Sequence, residues 1–584
     1  MSDSILEKAK SWVNEPTIDQ VDRNEVQELI NQNDLSELTE RFYRDLEFGT
    51  GGLRAILGNG SNRINKYTIR RATQAFSNAL LQVFPQSPKI AISFDSRKYS
   101  DVFAKEAATV FAANGIKAYL YDHLNPVCLL SFAVRHLGCQ GGIMVTASHN
   151  PPKYNGYKVY WADGAQVTPP NDQNIIDQYN SLTDWSKIKF MDFSQALNEG
   201  KIEYISPEVE DAYYQTIHQK VINPQLCQTN GGDLKIVYTP IHGTGLIPCT
   251  RMLTEMGFSE VYVPSEQAEP DHRFPTVSSP NPENPSALKI ATDLMIQEDC
   301  DIVFGTDPDT DRLGVAIRNE DEIFYPNGNQ IGSLMLYYIL HNLKEQNRLP
   351  ENGYFVKTIV TTDLQRKIAE SFGVSVENTL TGFKWICGKM KEIEESQAHR
   401  NFIFATEESF GYMNHNFVRD KDGICSVALM AELTLWYKKR GMNLIDALNE
   451  IYEKYAFHQE GLLSLDYEGK EGAEKISRIM SHFRNNVKIN FAGQDIIEVE
   501  DYEKSTITSH SGTIQPLTLP KSNVLGYSFK NGDKLYLRPS GTEPKIKFYL
   551  MVNENEGTIE DKKIAASKKI NSLENLIKEI AASL

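Results

Sequence analysis

The sequence predicts an α/β protein with several domains, and three observations support this prediction. The chain has 584 residues, which is more than the roughly 250–300 residues that a single hydrophobic core supports. Short apolar runs alternate with helical segments along most of the chain, a pattern typical of a parallel sheet with crossover helices. The alternation starts again twice, so we expect three related α/β domains and then a smaller α+β domain.

The first three domains are predicted from the points where this alternation begins. Domain 1, residues 1–204, opens with helices, and its strands run from KIAISFDSR (Lys89–Arg97) to GGIMVTAS. Domain 2, residues 205–326, restarts at the strand and glycine-rich turn DLKIVYTPIHGTG. Domain 3, residues 327–455, restarts at the strand GYFVKTIVTTD, which the helix LQRKIAESFG follows.

The last stretch differs from the other three and predicts domain 4, residues 456–584. Its segment VLGYSFKNGDKLYLRPSGTEPKIKFYLMV contains two strands of alternating polarity around a loop. A terminal helix is predicted to begin at about Ile559. This arrangement is typical of a small α+β domain.

Composition excludes several classes of partner. The formal net charge of −17 argues against nucleic acid and anionic membranes, because both attract basic surfaces. No segment approaches the roughly 18 apolar residues of a membrane-spanning helix, and the polar N-terminus does not resemble a signal peptide. The seven scattered cysteines contain no C-x-x-C pair, so reduced thiols and a cytoplasmic location are expected. The oligomeric state is left open.

A serine follows a predicted buried strand in IMVTASHNPPKYNGYKVY (Ile143–Tyr160). Ser148 would lie at the carboxyl end of a sheet, where open α/β folds bind ligands. Its surroundings do not match the G-x-S-x-G elbow of hydrolases. The motif alone leaves two interpretations open, a polar turn and a serine that takes part in chemistry.

Three alternating aspartates, Asp307, Asp309 and Asp311, occur in FGTDPDTDRLG between two predicted strands. In an extended loop a period of two places them on one side, where they repel one another unless a cation lies between them. Oxygen ligands favour Mg²⁺ or Ca²⁺ over zinc. An EF-hand is excluded, because Arg312 and Arg318 occupy its glycine and glutamate positions. The sequence therefore predicts a metal site here, and a solvated turn is the weaker alternative.

Two further motifs each allow two interpretations. In LRPSGTEPKIK (Leu537–Lys547) a small-residue turn beside Arg538 is either a phosphate cradle or an ordinary hairpin turn. In ATEESFGY (Ala405–Tyr412) Glu407 and Ser409 offer acceptors to neighbouring sugar hydroxyls. The same residues also fit a helix N-terminus capped by Thr406. The Gly-rich segment EFGTGGLRAILGNG, which carries Arg54, fits neither a P-loop nor a dinucleotide fingerprint.

Taken together, these motifs resemble those of the α-D-phosphohexomutase superfamily, the phosphoglucomutases and phosphomannomutases. TASHNP, DPDTDR, EES and RPSGTEP occur in the family's order and span nearly the whole chain. The resemblance implies four domains around a central cleft, each contributing one loop. It also implies a sugar phosphate as the small-molecule partner.

The resemblance also implies roles for individual residues. Ser148 would be the phosphorylated serine and, with Asp307, Asp309 and Asp311, would bind Mg²⁺. The catalytic cations would be Arg54, Lys158 and Arg312, and His149 and Lys158 are both candidates for proton transfer. The substrate would be bound by Lys384 of TGFK, Glu407, Ser409, Arg538, Ser540, Gly541 and Thr542. For His242 two roles stay open, an approach to the site and the bracing of its loop.

The segments FGTGGLR, YTPIHGTG and FPTVSSPNPE resemble the longer-chain branch of the superfamily, which includes bacterial phosphoglucomutases. We therefore expect interconversion of glucose 1-phosphate and glucose 6-phosphate, with glucose 1,6-bisphosphate as intermediate and activator. Activity on mannose or pentose phosphates and synthesis of glucose 1,6-bisphosphate are alternatives on the same scaffold. A metal-dependent phosphatase is a more distant one, and a non-catalytic sensor is disfavoured by the intact motifs. Some members of the family carry a histidine shortly after the serine of the EES motif, which is Ser409 here. This chain has Phe410, Gly411 and Tyr412 at those positions.

Overall fold

The structure is a computed structural model that describes residues 2–49, 51–319, 322–396, 399–467, 469–485, 491, 493–540 and 545–584. The chain forms two compact units. The first unit comprises Met1–Gly328, Phe383–Ala405 and Ser409–Arg440, and the second comprises Asn329–Gly382, Thr406–Glu408 and Gly441–Leu584.

Helices and strands alternate along the first part of the chain, as predicted. Up to residue 204 the elements are α1 (Ser2–Asn14), α2 (Gln20–Asn31), α3 (Leu35–Phe42), β1 (Gly52–Ile56), α4 (Lys66–Val83), β2 (Lys89–Phe94), α5 (Ser100–Ala113), β3 (Lys117–Leu120), α6 (Val127–His136), β4 (Gly141–Val145), β5 (Tyr154–Trp161), α7 (Asn171–Ser181), α8 (Phe193–Asn198) and β6 (Ile202–Tyr204). They continue with α9 (Pro207–His218), α10 (Pro224–Asn230), β7 (Ile236–Thr239), α11 (Leu246–Met256), β8 (Val261–Tyr262), α12 (Ser265–Ala268), α13 (Lys289–Gln297), β9 (Ile302–Thr306), β10 (Leu313–Asn319) and β11 (Glu322–Phe324).

The alternation continues beyond these elements and then gives way to strands. The next elements are α14 (Gly328–Glu345), β12 (Gly353–Thr358), α15 (Asp363–Ser371), β13 (Ser375–Thr379), α16 (Phe383–Glu395), β14 (Asn401–Glu407), β15 (Gly411–Met413), α17 (Gly423–Lys438) and α18 (Leu444–Tyr455). The last are β16 (Phe457–Asp466), α19 (Gly469–Asn485), β17 (Ile496–Asp501), β18 (Thr506–Ser509), β19 (Ile514–Pro516), β20 (Leu525–Phe529), β21 (Lys534–Pro539), β22 (Lys545–Glu554) and α20 (Ile559–Ser583).

The first unit contains two mixed sheets with the same local arrangement. In the sheet ordered β1-β5-β4-β2-β3-β6, strand β4 pairs in parallel with β2 and antiparallel with β5. In the sheet ordered β11-β10-β9-β7-β8, strand β9 pairs in parallel with β7 and antiparallel with β10. Every residue of β4 and β9 is buried, as expected for strands covered on both faces. The serine and aspartate loops therefore occupy equivalent positions, each following a buried strand.

The N-terminal helices add a small hydrophobic cluster to the first unit. Trp12 packs edge-on against Phe42, Tyr67 and Trp185, with ring centroids 5.6–6.1 Å apart. This packing joins helices α1 and α3 to the start of α4. Among the described residues, no helix is both long enough and apolar enough to cross a membrane.

The second unit contains a parallel pair, β12 with β13, and a sheet ordered β16-β22-β21-β20-β17-β18-β19. This C-terminal sheet has seven strands, more than the two predicted around the phosphate loop. The terminal helix α20 begins at Ile559, as predicted. Three α/β regions followed by a β-rich α+β region confirm the predicted fold class, while the division at residues 204, 326 and 455 stays a prediction.

The start of α20 provides a test of local stability. Thr558 accepts a hydrogen bond from the Asp561 backbone N–H at 3.2 Å, and the Asp561 carboxylate accepts one from the Thr558 N–H at 3.0 Å. We expect Thr558→Ala to destabilise the first turn by about 1 kcal/mol. Hydrogen exchange of these amides should accelerate roughly fivefold. Ser572→Ala, at an exposed mid-helix position, is the matched control and should leave them unchanged.

Candidate active site

Ser148 lies in a tight loop directly after β4. Its backbone has φ of +51°, a left-handed conformation that costs energy for a residue other than glycine and often marks a functional site. The Ser148 N–H donates to Thr146 Oγ1 at 2.8 Å. Gly156 allows strand β5 to lie close to the backbone of Thr146, because a Cβ at this position would lie 2.3 Å from the Thr146 carbonyl oxygen. The serine is thus held in one conformation.

Arg97 holds this loop from behind. Its guanidinium donates to the carbonyl oxygens of Pro151 at 3.1 Å and Tyr154 at 3.0 Å, and also to those of Ser148 and Asn150. The side chain is fully buried and lies 3.4 Å from the Asp95 carboxylate. Because one rigid guanidinium satisfies four carbonyls, the loop cannot shift without leaving buried acceptors unpaired.

The aspartate loop joins β9 to β10, and its three carboxylates converge. Ligand oxygens of Asp307, Asp309 and Asp311 lie within 4.8 Å of one another, and all three residues are buried. Asp307 Oδ1 accepts from the backbone N–H groups of Asp311 at 3.0 Å and Arg312 at 3.1 Å. The loop backbone therefore orients Asp307 toward the serine.

These carboxylates suit a divalent cation. Asp309 Oδ1 and Asp311 Oδ1 are buried and accept no hydrogen bond from any described group, which is unusual for buried polar atoms. Burial and the charges of Asp311 and Asp309 raise the pKa of Asp307 well above its ordinary value. Unpaired buried oxygens and mutual repulsion are both relieved by a hard cation among these oxygens.

The two loops meet at Ser148. Its Oγ donates to Asp307 Oδ2 at 2.8 Å and lies 3.1 Å from His149 Nδ1. Burial, together with the charges of Arg312 and Arg54, lowers the pKa of His149 well below its ordinary value. A neutral imidazole therefore faces the serine hydroxyl.

A glycine-rich segment before α11 supports the aspartate loop. A Cβ at Gly243 would lie 2.5 Å from the Pro308 Cα, so only glycine permits this contact. The neighbouring Thr244 N–H and Oγ1 both donate to the Pro308 carbonyl at 2.9 Å. His242 contacts the Glu269 carbonyl at 3.2 Å and Thr276 Oγ1 at 2.9 Å. Of the two roles left open for His242, these contacts favour bracing of the loop.

Four cationic side chains surround the carboxylates. Lys158 Nζ lies 2.7 Å from Asp309 Oδ2 and 3.3 Å from Asp311 Oδ2, and Lys421 Nζ lies 3.2 Å from Asp311 Oδ2. Arg312 pairs with Glu283, and Arg54 Nη1 donates to Asn150 Oδ1 at 3.0 Å. Although burial would raise it, Lys421 and Lys158 hold the pKa of Asp311 below its ordinary value.

Comparison with known proteins decides the family. Residues 45–185, 211–320 and 327–455 match the phosphoglucomutase/phosphomannomutase α/β/α domains I, II and III. The phosphoglucomutase of Staphylococcus saprophyticus is 37% identical over 509 residues, which cover 86% of this chain and 90% of that protein. The chain belongs to the phosphoglucomutase/phosphomannomutase family.

Other relatives agree with this membership. The phosphoglucomutase of Staphylococcus epidermidis is 36% identical over 539 residues, covering 92% of this chain and 96% of that protein. The open form of the Paramecium phosphoglucomutase parafusin superposes with a TM-score of 0.67 at 17% identity, covering 92% of this chain and 96% of that one. This likeness concerns the fold alone. As a phosphohexomutase, the chain is a mutase, an enzyme of the isomerase class.

In this phosphohexomutase the first unit brings together Ser148, His149, Arg54, Lys158, Arg312 and the three aspartates. Lys384, at the start of α16, and Ser409 also belong to the first unit. Burial lowers the pKa of Lys384, and the nearby Asp172 acts against this effect. Glu407, Arg538 and Ser540 belong to the second unit, and Gly541 and Thr542 lie outside the described residues.

The structure corrects one of the two interpretations of the segment ATEESFGY (Ala405–Tyr412). Thr406 and Glu407 are the last residues of β14, and β15 begins at Gly411. Thr406 therefore caps no helix, because the β-branched and apolar run Phe402–Thr406 favours a strand. In the second unit the Glu408 carboxylate accepts from Thr358 Oγ1 at 3.0 Å.

Sequence reasoning missed Asp95, Arg97, Glu283 and Lys421 as parts of this family member's site. The strand KIAISFDSR and the segment FPTVSSPNPE contain the first three, but a charged residue after a strand is usual in a loop. Lys421 lies between two aspartates in RDKDG, a pattern typical of a solvated turn. No local signal distinguishes these residues, since the contacts that join them to the site reach distant segments, as from Asp95 to Thr146 and from Lys421 to Asp311.

We expect Arg97→Lys to impair turnover more than substrate binding. Lysine cannot satisfy four carbonyls at once, and each buried acceptor left unpaired costs about 1–3 kcal/mol. The Ser148 loop should loosen, so steady-state kinetics should show a kcat reduced at least about tenfold with KM little changed. Arg251→Lys, at a half-buried position on helix α11 where the arginine pairs with Asp211 and Glu255 away from the site, is the matched control. A fall in stability with unaltered kcat would contradict the positioning role.

Proposed function

We propose that this chain is a phosphoglucomutase that interconverts glucose 1-phosphate and glucose 6-phosphate through a phosphoserine at Ser148. This proposal rests on the position of Ser148 Oγ, which lies 2.8 Å from Asp307 Oδ2 at the cluster of three carboxylates. The names of the curated relatives, at 36–37% identity over most of the chain, support glucose phosphate as the substrate.

Mg²⁺ is the proposed metal, held by Asp307, Asp309, Asp311 and the phosphate on Ser148. Oxygen ligands and the orphaned Oδ1 atoms suit a hard cation. When bound, the ion neutralises charge on the transferring phosphoryl group.

The surrounding side chains of the first unit supply the remaining electrostatics. Lys158, held charged by Asp309 and Asp311, and Arg54 and Arg312 stabilise the negative charge of the phosphoryl oxygens. His149 Nδ1, neutral and 3.1 Å from Ser148 Oγ, is positioned to accept the serine proton when Ser148 takes a phosphoryl group back. Of the two candidates for proton transfer, this geometry favours His149, and Lys158 serves as a fixed charge.

The proposed cycle has two transfers. Phospho-Ser148 donates its phosphoryl group to the free hydroxyl of the hexose phosphate: the Ser148 Oγ–P bond breaks as the new P–O bond forms, and Ser148 Oγ takes up the proton that the hydroxyl loses. The product of this step is glucose 1,6-bisphosphate, the proposed intermediate and activator. The other phosphoryl group of the reoriented bisphosphate then passes to Ser148, whose proton moves by way of His149 to the released sugar oxygen, and the second hexose phosphate leaves.

Roles for the substrate-binding residues remain proposals from the family motifs. Glu407 and Ser409 would bind sugar hydroxyls, and Lys384, which precedes them in the sequence, would also bind the substrate. Arg538, Ser540, Gly541 and Thr542 would hold the phosphate that does not react. The proposed partner is a small sugar phosphate, and a cytoplasmic location is the prediction of the sequence.

Ser148→Ala tests the proposed nucleophile. Turnover of glucose 1-phosphate, with Mg²⁺ and trace glucose 1,6-bisphosphate, should fall at least about a thousandfold. Intact-mass analysis should show a fraction of the wild-type protein heavier by one phosphoryl group, and none of the variant. Ser181→Ala, at an exposed helix end, should behave as wild type.

The same assay separates the alternative activities. Release of inorganic phosphate without glucose 6-phosphate would establish the phosphatase and reject the mutase. Rates on glucose, mannose and ribose 1-phosphates, measured side by side, should rank glucose first. A higher rate on mannose or ribose would replace the proposed substrate.

Mg²⁺ should stabilise the protein through the aspartate loop. At a free concentration about 100 times its Kd, a ligand that binds only the folded state adds about 2.7 kcal/mol of stability. We expect Mg²⁺ to raise the thermal transition and EDTA to reverse the rise. Asp309→Asn should abolish this shift, whereas Asp299→Asn, on the exposed surface, should keep it. An undiminished shift in Asp309→Asn would place the metal elsewhere.

A further inference from the structure

A cavity of about 740 Å³ lies in the first unit apart from the residues assigned to phosphoryl transfer. Its walls come from α2, the connection between β1 and α4, the start of α5, and the residues that follow the serine loop. A volume between roughly 300 and 1,000 Å³ is typical of small-molecule sites. Helix α2 thus helps to form a solvent-open cavity that the proposed mutase chemistry does not use.

Aromatic and apolar side chains form part of this cavity. Ile64, Tyr67 and Phe103 are buried in its wall. Tyr99 and Val102 also line it while keeping 48% and 39% of their surface exposed. Lys98 Nζ lies over the Tyr99 ring, 4.9 Å from its centre, so the opposite face of this tyrosine is the one on which a flat ring can stack.

Cationic side chains exceed acidic ones around the cavity. Lys66 and Arg273 line it but are engaged, by Asp19 and by Asp271 respectively. Lys98 and Lys153 line it as well, and the described residues contain no ion-pair partner for either. Lys98 Nζ and Lys153 Nζ lie over the rings of the adjacent Tyr99 and Tyr154, 4.9 Å and 5.8 Å from the ring centres. In a chain with a net charge of −17, two exposed lysines without an ion pair at one cavity favour an anionic ligand.

The acidic lining residues are already bonded. Asp22 accepts from Tyr67 Oη at 2.6 Å, and Glu25 accepts from Asn59 Nδ2 at 2.6 Å and Arg41 Nη1 at 2.6 Å. Arg41 pairs with Glu25, and Lys66 Nζ lies 3.2 Å from Asp22 Oδ2, so a neighbouring cation balances the charge of each carboxylate. An incoming phosphate therefore meets little repulsion from them.

We propose that this cavity binds a nucleotide, with its phosphates on Lys98 and Lys153 and its base on Tyr99. The phosphate would give both lysines an anionic partner, and a flat base would stack on the half-exposed tyrosine, since aromatic rings stack favourably on bases. A sugar phosphate or inorganic phosphate supplies the charge but not the ring. The binding goes beyond the proposed function and does not depend on it.

The cavity also adjoins the segments that position Ser148. Lys98 directly follows Arg97, and its carbonyl accepts from Asn155 Nδ2 at 3.1 Å. The Lys153 carbonyl accepts from the Leu57 N–H at 2.9 Å. A nucleotide whose phosphates contact both lysines therefore touches the two segments next to the Ser148 loop. We expect nucleotide binding in the cavity to change the rate of turnover. This second consequence rests on the proposed function.

Calorimetric titration of the full chain with ADP, without added metal, tests binding. ADP should bind at one site, more tightly than glucose 6-phosphate at the cavity and than inorganic phosphate. Lys98→Gln/Lys153→Gln and the cavity-filling Val102→Trp should each weaken ADP binding at least tenfold. Lys187→Gln/Lys189→Gln, which removes two exposed lysines elsewhere, is the matched control.

An active-site variant separates the two sites. Arg54→Gln should leave ADP binding unchanged, and loss of binding in Arg54→Gln alone would place ADP at the phosphoryl-transfer centre and overturn the proposal. Equal affinities for ADP and inorganic phosphate would overturn the role of the ring. Circular dichroism of each variant identifies misfolding, and Val102→Trp, which keeps both lysines, supplies an independent readout.

Turnover at saturating glucose 1-phosphate gives the second readout. ADP should change kcat at least twofold in the wild type and not in Lys98→Gln/Lys153→Gln. ADP binding with unaltered kcat would overturn the effect on the serine loop. Absence of mutase activity with ADP binding intact would overturn the proposed function and leave the nucleotide site standing.

Discussion

The carboxylates of Asp307, Asp309 and Asp311 lie buried within 4.8 Å of one another. Because like charges repel at this distance, the surrounding side chains must supply positive charge. Lys158 and Lys421 pair with the Asp309 and Asp311 carboxylates. Even with these cations, burial and the neighbouring aspartates raise the pKa of Asp307, and Asp309 Oδ1 and Asp311 Oδ1 accept no hydrogen bond from any described group. A divalent cation would supply further positive charge to this cluster, which lies directly beside the serine hydroxyl.

Two loops must be held rigidly for this arrangement to work, and each has its own support. Arg97 fastens the serine loop through four carbonyl oxygens. Gly243 and Thr244 hold the aspartate loop from the neighbouring segment. Rigid support matters because phosphoryl transfer depends on positioning and electrostatics more than on covalent chemistry.

The two loops also share a topological position that their sequences conceal. Each joins a buried parallel strand, β4 or β9, to an antiparallel return strand, β5 or β10. Without any repeated motif, the chain thus presents a serine and a loop of three aspartates at corresponding edges of two sheets. Placement at the carboxyl end of a parallel strand is what open α/β folds offer to ligands.

The sequence by itself determined the α/β class, the start of the terminal helix and the close grouping of Asp307, Asp309 and Asp311. These features are local: strand periodicity, capping residues and the spacing of like charges act over a few residues. Only the tertiary structure brings Arg97 to the serine loop, Lys421 to Asp311 and Glu283 to Arg312, and gives His242 contacts that favour bracing. These contacts span tens of positions or more, because a buried hydrogen bond or ion pair is defined by folded distance and not by sequence separation.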